Sequence, residues 1–187
     1  MKTLRVAIEG INSTGKTTLT KNLAQHIDLP IIKDMVRTVA KMLNISGDNP
    51  SLSYTQRVEW MRGVLWWQIA LEETFDSFIS DASLITFWAY IKIWFHEKRI
   101  VDTFEKIVEQ QANKYTHVIY LSPVLPHEKN GFRRNNLIYQ NKADQMIRKI
   151  LKGWFEQQPK KLKVIEQVPL NDRVRECLAF LNLSPSV

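Results

Sequence analysis

The chain has 187 residues, enough for one α/β domain with a sizeable core, so residues 1–187 are read as a single unit. One cysteine excludes an internal disulfide framework, and no apolar run reaches the roughly 18 residues that cross a bilayer. The formal net charge of +7 favours anionic partners in general: nucleotides, phosphorylated substrates or nucleic acid.

The first apolar run, Leu4, Val6, Ala7 and Ile8, reads as a buried strand. It leads into Gly10-Ile11-Asn12-Ser13-Thr14-Gly15-Lys16-Thr17, which fits the G-x-x-x-x-G-K-[ST] spacing of a phosphate-binding loop. Leu19, Leu23, Ala24 and Ile27 follow at helical spacing, which places the loop at a strand-to-helix turn. There the glycines let successive N–H groups point inward, and the helix start adds its positive dipole end. Asn12, Ser13, Thr14, Gly15, Lys16, Thr17 and Thr18 are therefore the expected nucleotide-binding residues, with Lys16 reaching the terminal phosphates and the Thr17 hydroxyl on Mg²⁺.

Pro30 stops the first helix and Ile31-Ile32 gives a short second strand, with Asp34 and Arg37 just past its end. Val36, Val39, Ala40 and Leu43 make one face of the next helix. Ser53 and Gln56 form a capping box for a long helix apolar on a wide arc, with Trp60, Val64 and Trp67 in one row and Met61, Leu65 and Ile69 in the next. Packing on two sides is expected, with Trp60, Trp67, Trp88 and Trp94 in the core.

Phe78-Ile79-Ser80 is the third strand, ending in Asp81, and Ser83 is placed to cap a helix through Leu84, Phe87, Trp88, Ile91 and Phe95. A helix over 100–113 precedes the fourth strand, Val118 to Leu121, which Pro123 stops. The polar passage that follows, with Gly131-Phe132-Arg133-Arg134 inside it, predicts a lid over about 125–137. A helix through Ile138, Ile147 and Phe155, a strand at Val164-Ile165 and a helix over 172–181 close the chain. Cys177 falls on the apolar side of that last helix and reads as core. Lys149, Lys152, Lys160, Lys161 and Lys163 read first as a solvated face and only second as a nucleic-acid footprint.

Strands alternating with helices predict a parallel sheet of about five strands covered on both faces, with ligands beyond the carboxyl ends of the strands. The loop, Asp34, Arg37, Asp81 and the Arg133 segment are expected to meet there. Phosphoryl transfer needs positioning and charge compensation, and each part has a candidate. Lys16 and Arg133 suit the transferring group. Asp34 and Asp81 are both candidates for the base, and Asp81 also for the metal alongside Thr17.

Val6-Ala7-Ile8-Glu9-Gly10 through Thr18 resembles the opening of thymidylate kinases and deoxynucleoside kinases. Asp34-Met35-Val36-Arg37, Gln68, Asp81-Ala82-Ser83-Leu84-Ile85-Thr86 and Asn130-Gly131-Phe132-Arg133 look closer to the ribosylnicotinamide kinase group of small P-loop domains. The resemblance implies a three-layer P-loop NTPase fold, ATP with Mg²⁺ as cofactors, and transfer to a hydroxyl of a nucleoside- or nucleotide-like molecule. It places Asp34, Arg37, Gln68 and Asp81 at the acceptor, and Arg134, next to the matched Arg133, is also expected to bind substrate. Ala82 stands where thymidylate kinase-like members carry an arginine for the acceptor's phosphate, which favours a neutral acceptor. Ser83 and Asn130 replace two acids common in the ribosylnicotinamide kinases. A kinase acting on nucleic acid and a non-catalytic nucleotide-binding regulator are the alternatives. A cytoplasmic protein is expected, since the opening residues lead into the loop and resemble no cleavable signal.

Overall fold

A computed structural model describes residues 3–45, 52–95, 98–124, 137–166 and 169–183. Five strands run β1 (Arg5–Glu9), β2 (Ile31–Ile32), β3 (Phe78–Asp81), β4 (His117–Leu121) and β5 (Leu162–Ile165). Seven helices are described: α1 (Lys16–Ile27), α2 (Met35–Met42), α3 (Tyr54–Thr74), α4 (Leu84–Trp94), α5 (Lys98–Asn113), α6 (Leu137–Phe155) and α7 (Leu170–Phe180). The strands form one sheet in the order β2-β3-β1-β4-β5, and every pairing is parallel.

Parallel neighbours require crossovers, and the helices that make them cover both faces. On one face α1 and α7 bury Leu19, Leu23, Cys177 and Leu178 against Val6, Ile8, Ile79 and Ile119. On the other, α3, α4 and α6 bury Trp60, Leu65, Trp88 and Ile147 against Ala7, Phe78, Val118 and Tyr120. Alternation along each strand divides the residues between these cores, and the same alternation decides where polar side chains go at the strand ends. Cys177 is fully buried, and burial pushes its thiol up to about 12, in keeping with a core position.

Helix starts follow local chemistry. Ser53 and Gln56 exchange both bonds of the capping box at the head of α3. Asp34 caps α2 by accepting from the Val36 N–H at 2.9 Å, and Ser83 caps α4 by accepting from Ile85 N–H at 3.1 Å. Two apolar expectations are corrected. Trp67 is 48% exposed and Leu43 43% exposed. The stripe of α3 that faces inward is Trp60, Met61, Val64, Leu65, Gln68 and Glu72, so Trp66 and Trp67 are left on its outer side. Leu43 lies past the last turn of α2, where the chain has already left the helical face.

Candidate active site

The loop between β1 and α1 is built by backbone conformations that side chains resist. Gly10 has φ 143°, and a Cβ on it would stand 2.8 Å from the Leu121 carbonyl oxygen. Only glycine lets the loop start this close to β4. Gly15 at φ 85° is the N-cap of α1 and offers no side-chain cap, which leaves the first-turn N–H groups directed at the loop.

Internal bonds hold the curve. The Thr14 hydroxyl donates to Ile11 O at 2.9 Å, and the Lys16 ammonium donates to Gly10 O at 2.9 Å and Ile11 O at 2.7 Å. From the α7 side, the buried Arg173 guanidinium donates to Thr14 O at 2.7 Å. The loop is therefore braced from within and from below. Thr17 and Thr18 are exposed in the first turn of α1, while Asn12, Ser13, Gly15 and Lys16 are half-buried.

Beside the loop lies a cavity of about 60 Å³. Asn12 and Lys16 form its phosphate side, Asp34, Met35 and Val36 one end, and Trp60, Val64 and Gln68 of α3 one wall. Phe87, Tyr90 and Trp94 of α4 line it as well. Trp60 stacks on Trp94 with centroids 5.6 Å apart, and its indole N–H donates to Val36 O at 3.1 Å. The structure thus brings together Asn12, Lys16, Asp34 and Gln68 of the expected site residues.

Others fall elsewhere. Arg37 is exposed on α2 and does not line the cavity. Asp81 is buried at the end of β3, directly beside Ile8 in register, and does not line the cavity either. Alternation explains this: Phe78 packs in the α3-side core and Ser80 bonds Gln68 of α3, whereas Ile79 packs in the α1-side core, and the period of two puts Asp81 with Ile79. Arg133, Arg134 and the expected lid through residue 136 lie outside the described residues.

Two carboxylates that the sequence reading did not single out are fully buried next to this site. Glu9, the last residue of β1, accepts from the Ser83 hydroxyl, the Thr86 hydroxyl and the Thr86 N–H, the last at 3.0 Å. It ties the end of β1 to the start of α4, a helix end that favours negative charge. Glu72 accepts from Gln68, Gln111 and Tyr115. Burial raises the pKa of both carboxyls, and their hydrogen bonds offset part of that rise. The signal for Glu72 was its spacing: Met61, Leu65, Gln68 and Glu72 make one helical stripe, and polar residues inside an apolar stripe are buried with it.

A pH dependence follows for Glu9. Its folded pKa is raised above the ordinary 4.5, so the native chain keeps a proton where the unfolded chain has lost it. The contribution is therefore unfavourable above that window, and stability is lost as pH rises through the raised value. Glu9→Gln has no proton to lose. Denaturant unfolding of both proteins between about pH 4 and about pH 8 is expected to show wild type losing stability relative to the variant as pH rises. A difference that stays constant with pH contradicts the effect of burial.

The sequence matches the family described as AAA domain over residues 5–161. No curated protein sequence matches the chain. Among solved structures, NadR in complex with NAD and AMP-PNP is similar, with a TM-score of 0.72 at 15% identity over 99% of this chain. This chain spans 51% of that NadR chain, about half its length. Deoxyadenosine kinase from M. mycoides, with products dCMP and dCDP bound, gives a TM-score of 0.67 at 14% identity, over 96% of this chain and 99% of that one. Shikimate kinase from Acinetobacter baumannii, in complex with shikimate, gives 0.61 at 14% identity, over 96% of this chain and 94% of that one. With a phosphate loop after β1, a parallel five-stranded sheet and helices on both faces, the chain belongs to the AAA domain family and has the fold of P-loop kinases of the nucleoside kinase-like group.

Proposed function

We propose that the protein is an ATP- and Mg²⁺-dependent kinase that moves the γ-phosphate to a hydroxyl of a nucleoside- or nucleotide-like small molecule. The observation that carries this reading is that Lys16 of the phosphate loop and the Asp34 carboxylate line the same cavity, facing an aromatic wall that also holds Gln68. A cation for the transferring group and a carboxylate for the acceptor proton are the two side chains phosphoryl transfer asks of a protein.

The roles divide by sheet face. Loop N–H groups and Lys16 bind the triphosphate, and the exposed Thr17 hydroxyl and the buried Asp81 carboxylate are the oxygen donors that would hold Mg²⁺, a cation that takes oxygen ligands. Bound there, the ion would supply charge compensation for the triphosphate. Asp34, on the cavity side, takes the proton of the attacking hydroxyl. Trp60, Phe87 and Trp94 exclude water and suit a planar group by stacking. Arg133 and Arg134 are assigned to closure over the phosphates, and Arg37 to the outer rim of the acceptor side. At about 60 Å³ the cavity is smaller than the several hundred Å³ of ordinary ligand sites.

The test is ADP release from ATP and Mg²⁺ against a panel of nucleosides, nucleoside monophosphates and related ring ribosides. Release that depends on one class of acceptor is the expected result. Folded protein that binds ATP and releases no ADP with any member removes the kinase reading.

A further inference from the structure

The orientation of the Gln68 amide is fixed by its partners, and the fixing group is Glu72. Glu72 is fully buried and surrounded by donors: Gln68 Nε2 at 2.7 Å, Gln111 Nε2 at 2.7 Å, and the Tyr115 hydroxyl at 2.8 Å and 2.9 Å from its two oxygens. A carboxylate only accepts, so each glutamine turns its nitrogen toward it. Should Glu72 take up a proton, the Tyr115 oxygen is beside both carboxyl oxygens to receive it, and the glutamine nitrogens keep their places. The second Gln68 proton goes to Ser80 Oγ at 2.9 Å, whose own proton goes to Ala82 O at 3.0 Å. Both Gln68 N–H groups are consumed inside the protein. Gln68 is 2% exposed and lines the acceptor cavity, and the polar group its amide has left for that cavity is the carbonyl oxygen.

Building on the kinase reading, we infer that Glu72 sets acceptor specificity: by holding the Gln68 carbonyl toward the cavity, it selects ring systems that carry an N–H donor, an amino or carboxamide group, on the edge facing α3. An acceptor atom in that place meets a carbonyl oxygen and leaves both groups unsatisfied in a buried site. Glu72 touches no ligand; it is a positioning residue that acts through Gln68.

Glu72→Gln tests the inference, because an amide at this position must donate to one of its neighbours. Gln111 resists turning, since its Nε2 also lies 3.3 Å from the Glu73 carboxylate, which accepts only. Gln68 yields instead, because the Ser80 hydroxyl donates as readily as it accepts. The flipped Gln68 then presents N–H to the cavity.

Matched ribosides differing only in the donor are the probes: adenosine against purine riboside, cytidine against pyrimidin-2-one riboside, nicotinamide riboside against 3-acetylpyridine riboside. In wild type, kcat/KM with ATP and the calorimetric Kd should favour the N–H member of any pair that is accepted by at least about tenfold. Glu72→Gln should lower that ratio at least about tenfold, toward or below one, and Gln68→Met should bring it near one. Simple structural damage would lower both members together and leave the ratio unchanged. Wild type that treats the members alike, or prefers the one lacking N–H, overturns the inference and leaves the kinase reading standing. If no riboside is bound or phosphorylated, the kinase reading for such acceptors fails and this inference with it.

Discussion

Lys16→Ala is expected to lower kcat by about 10² to 10³ while the protein stays folded. The ammonium sits between the Gly10 and Ile11 carbonyls at 2.9 and 2.7 Å, at the mouth of the loop and on the wall of the acceptor cavity. On the kinase reading proposed above, a cation there would neutralise charge on the group being transferred, an interaction stronger in the transition state than in the ground state. Its loss therefore falls mainly on kcat. Truncation also takes charge-assisted bonds worth roughly 1.5–3 kcal/mol each from the carbonyls of two buried residues, so some loss of stability accompanies the loss of turnover and is measured separately. Steady-state kinetics with circular dichroism on the same sample checks both halves. Near-normal turnover in folded Lys16→Ala would remove Lys16 from the chemistry.

Asp34→Asn is expected to lower kcat by about 10² to 10⁴ with little change in stability. The substitution separates the cap that Asp34 makes from the base role proposed for it above. One oxygen caps α2 by accepting the Val36 N–H at 2.9 Å, and asparagine caps a helix as well as aspartate does. What asparagine lacks is the capacity to accept a proton from a hydroxyl. A residue that is only a cap would give a fully active Asn variant, whereas a base gives a stable and slow one. Asp34→Ala should lose the cap as well, about 1 kcal/mol of stability measured by denaturant. Unchanged kcat in Asp34→Asn would return Asp34 to the role of cap alone.

How much of this could be read before the coordinates depended on whether the cause was local. The phosphate loop, the strand before it and the caps at Ser53 and Ser83 rest on residues a few positions apart, and they lie where spacing put them. The short apolar runs became strands, and the three central ones, β1, β3 and β4, are buried on both faces and need little alternation to be recognised. The errors came where two faces compete. α3 carries apolar side chains around most of its circumference, so spacing could not say that Trp60 turns inward and Trp67 outward. Glu72 was passed over for the opposite reason. Beside Glu73 it looks like one of two solvated charges, yet only Glu73 pairs with surface cations, Lys114 at 2.7 Å and Arg5 at 3.9 Å. The partners of Glu72, Gln111 and Tyr115, are 39 and 43 residues away, and no local pattern announces contacts of that range. Glu9 was quoted only as part of a family-like opening, and its bonds reach 74 and 77 residues along the chain.

The neighbours Ser80 and Asp81 leave β3 on opposite sides of the sheet, and that small fact separates two kinds of change. On the kinase reading proposed above, replacements along the even-numbered side would reshape the acceptor's cavity, through Ser80 and its bond to Gln68 on the α3 stripe. Replacements along the odd-numbered side would disturb the proposed metal and triphosphate side. A designer could retool this protein for a new acceptor by editing one layer of helices, leaving the energy-supplying half as it stands. A deletion of one residue within β3 would do the reverse of what retooling wants, turning the carboxylate toward the acceptor and the hydroxyl toward the metal.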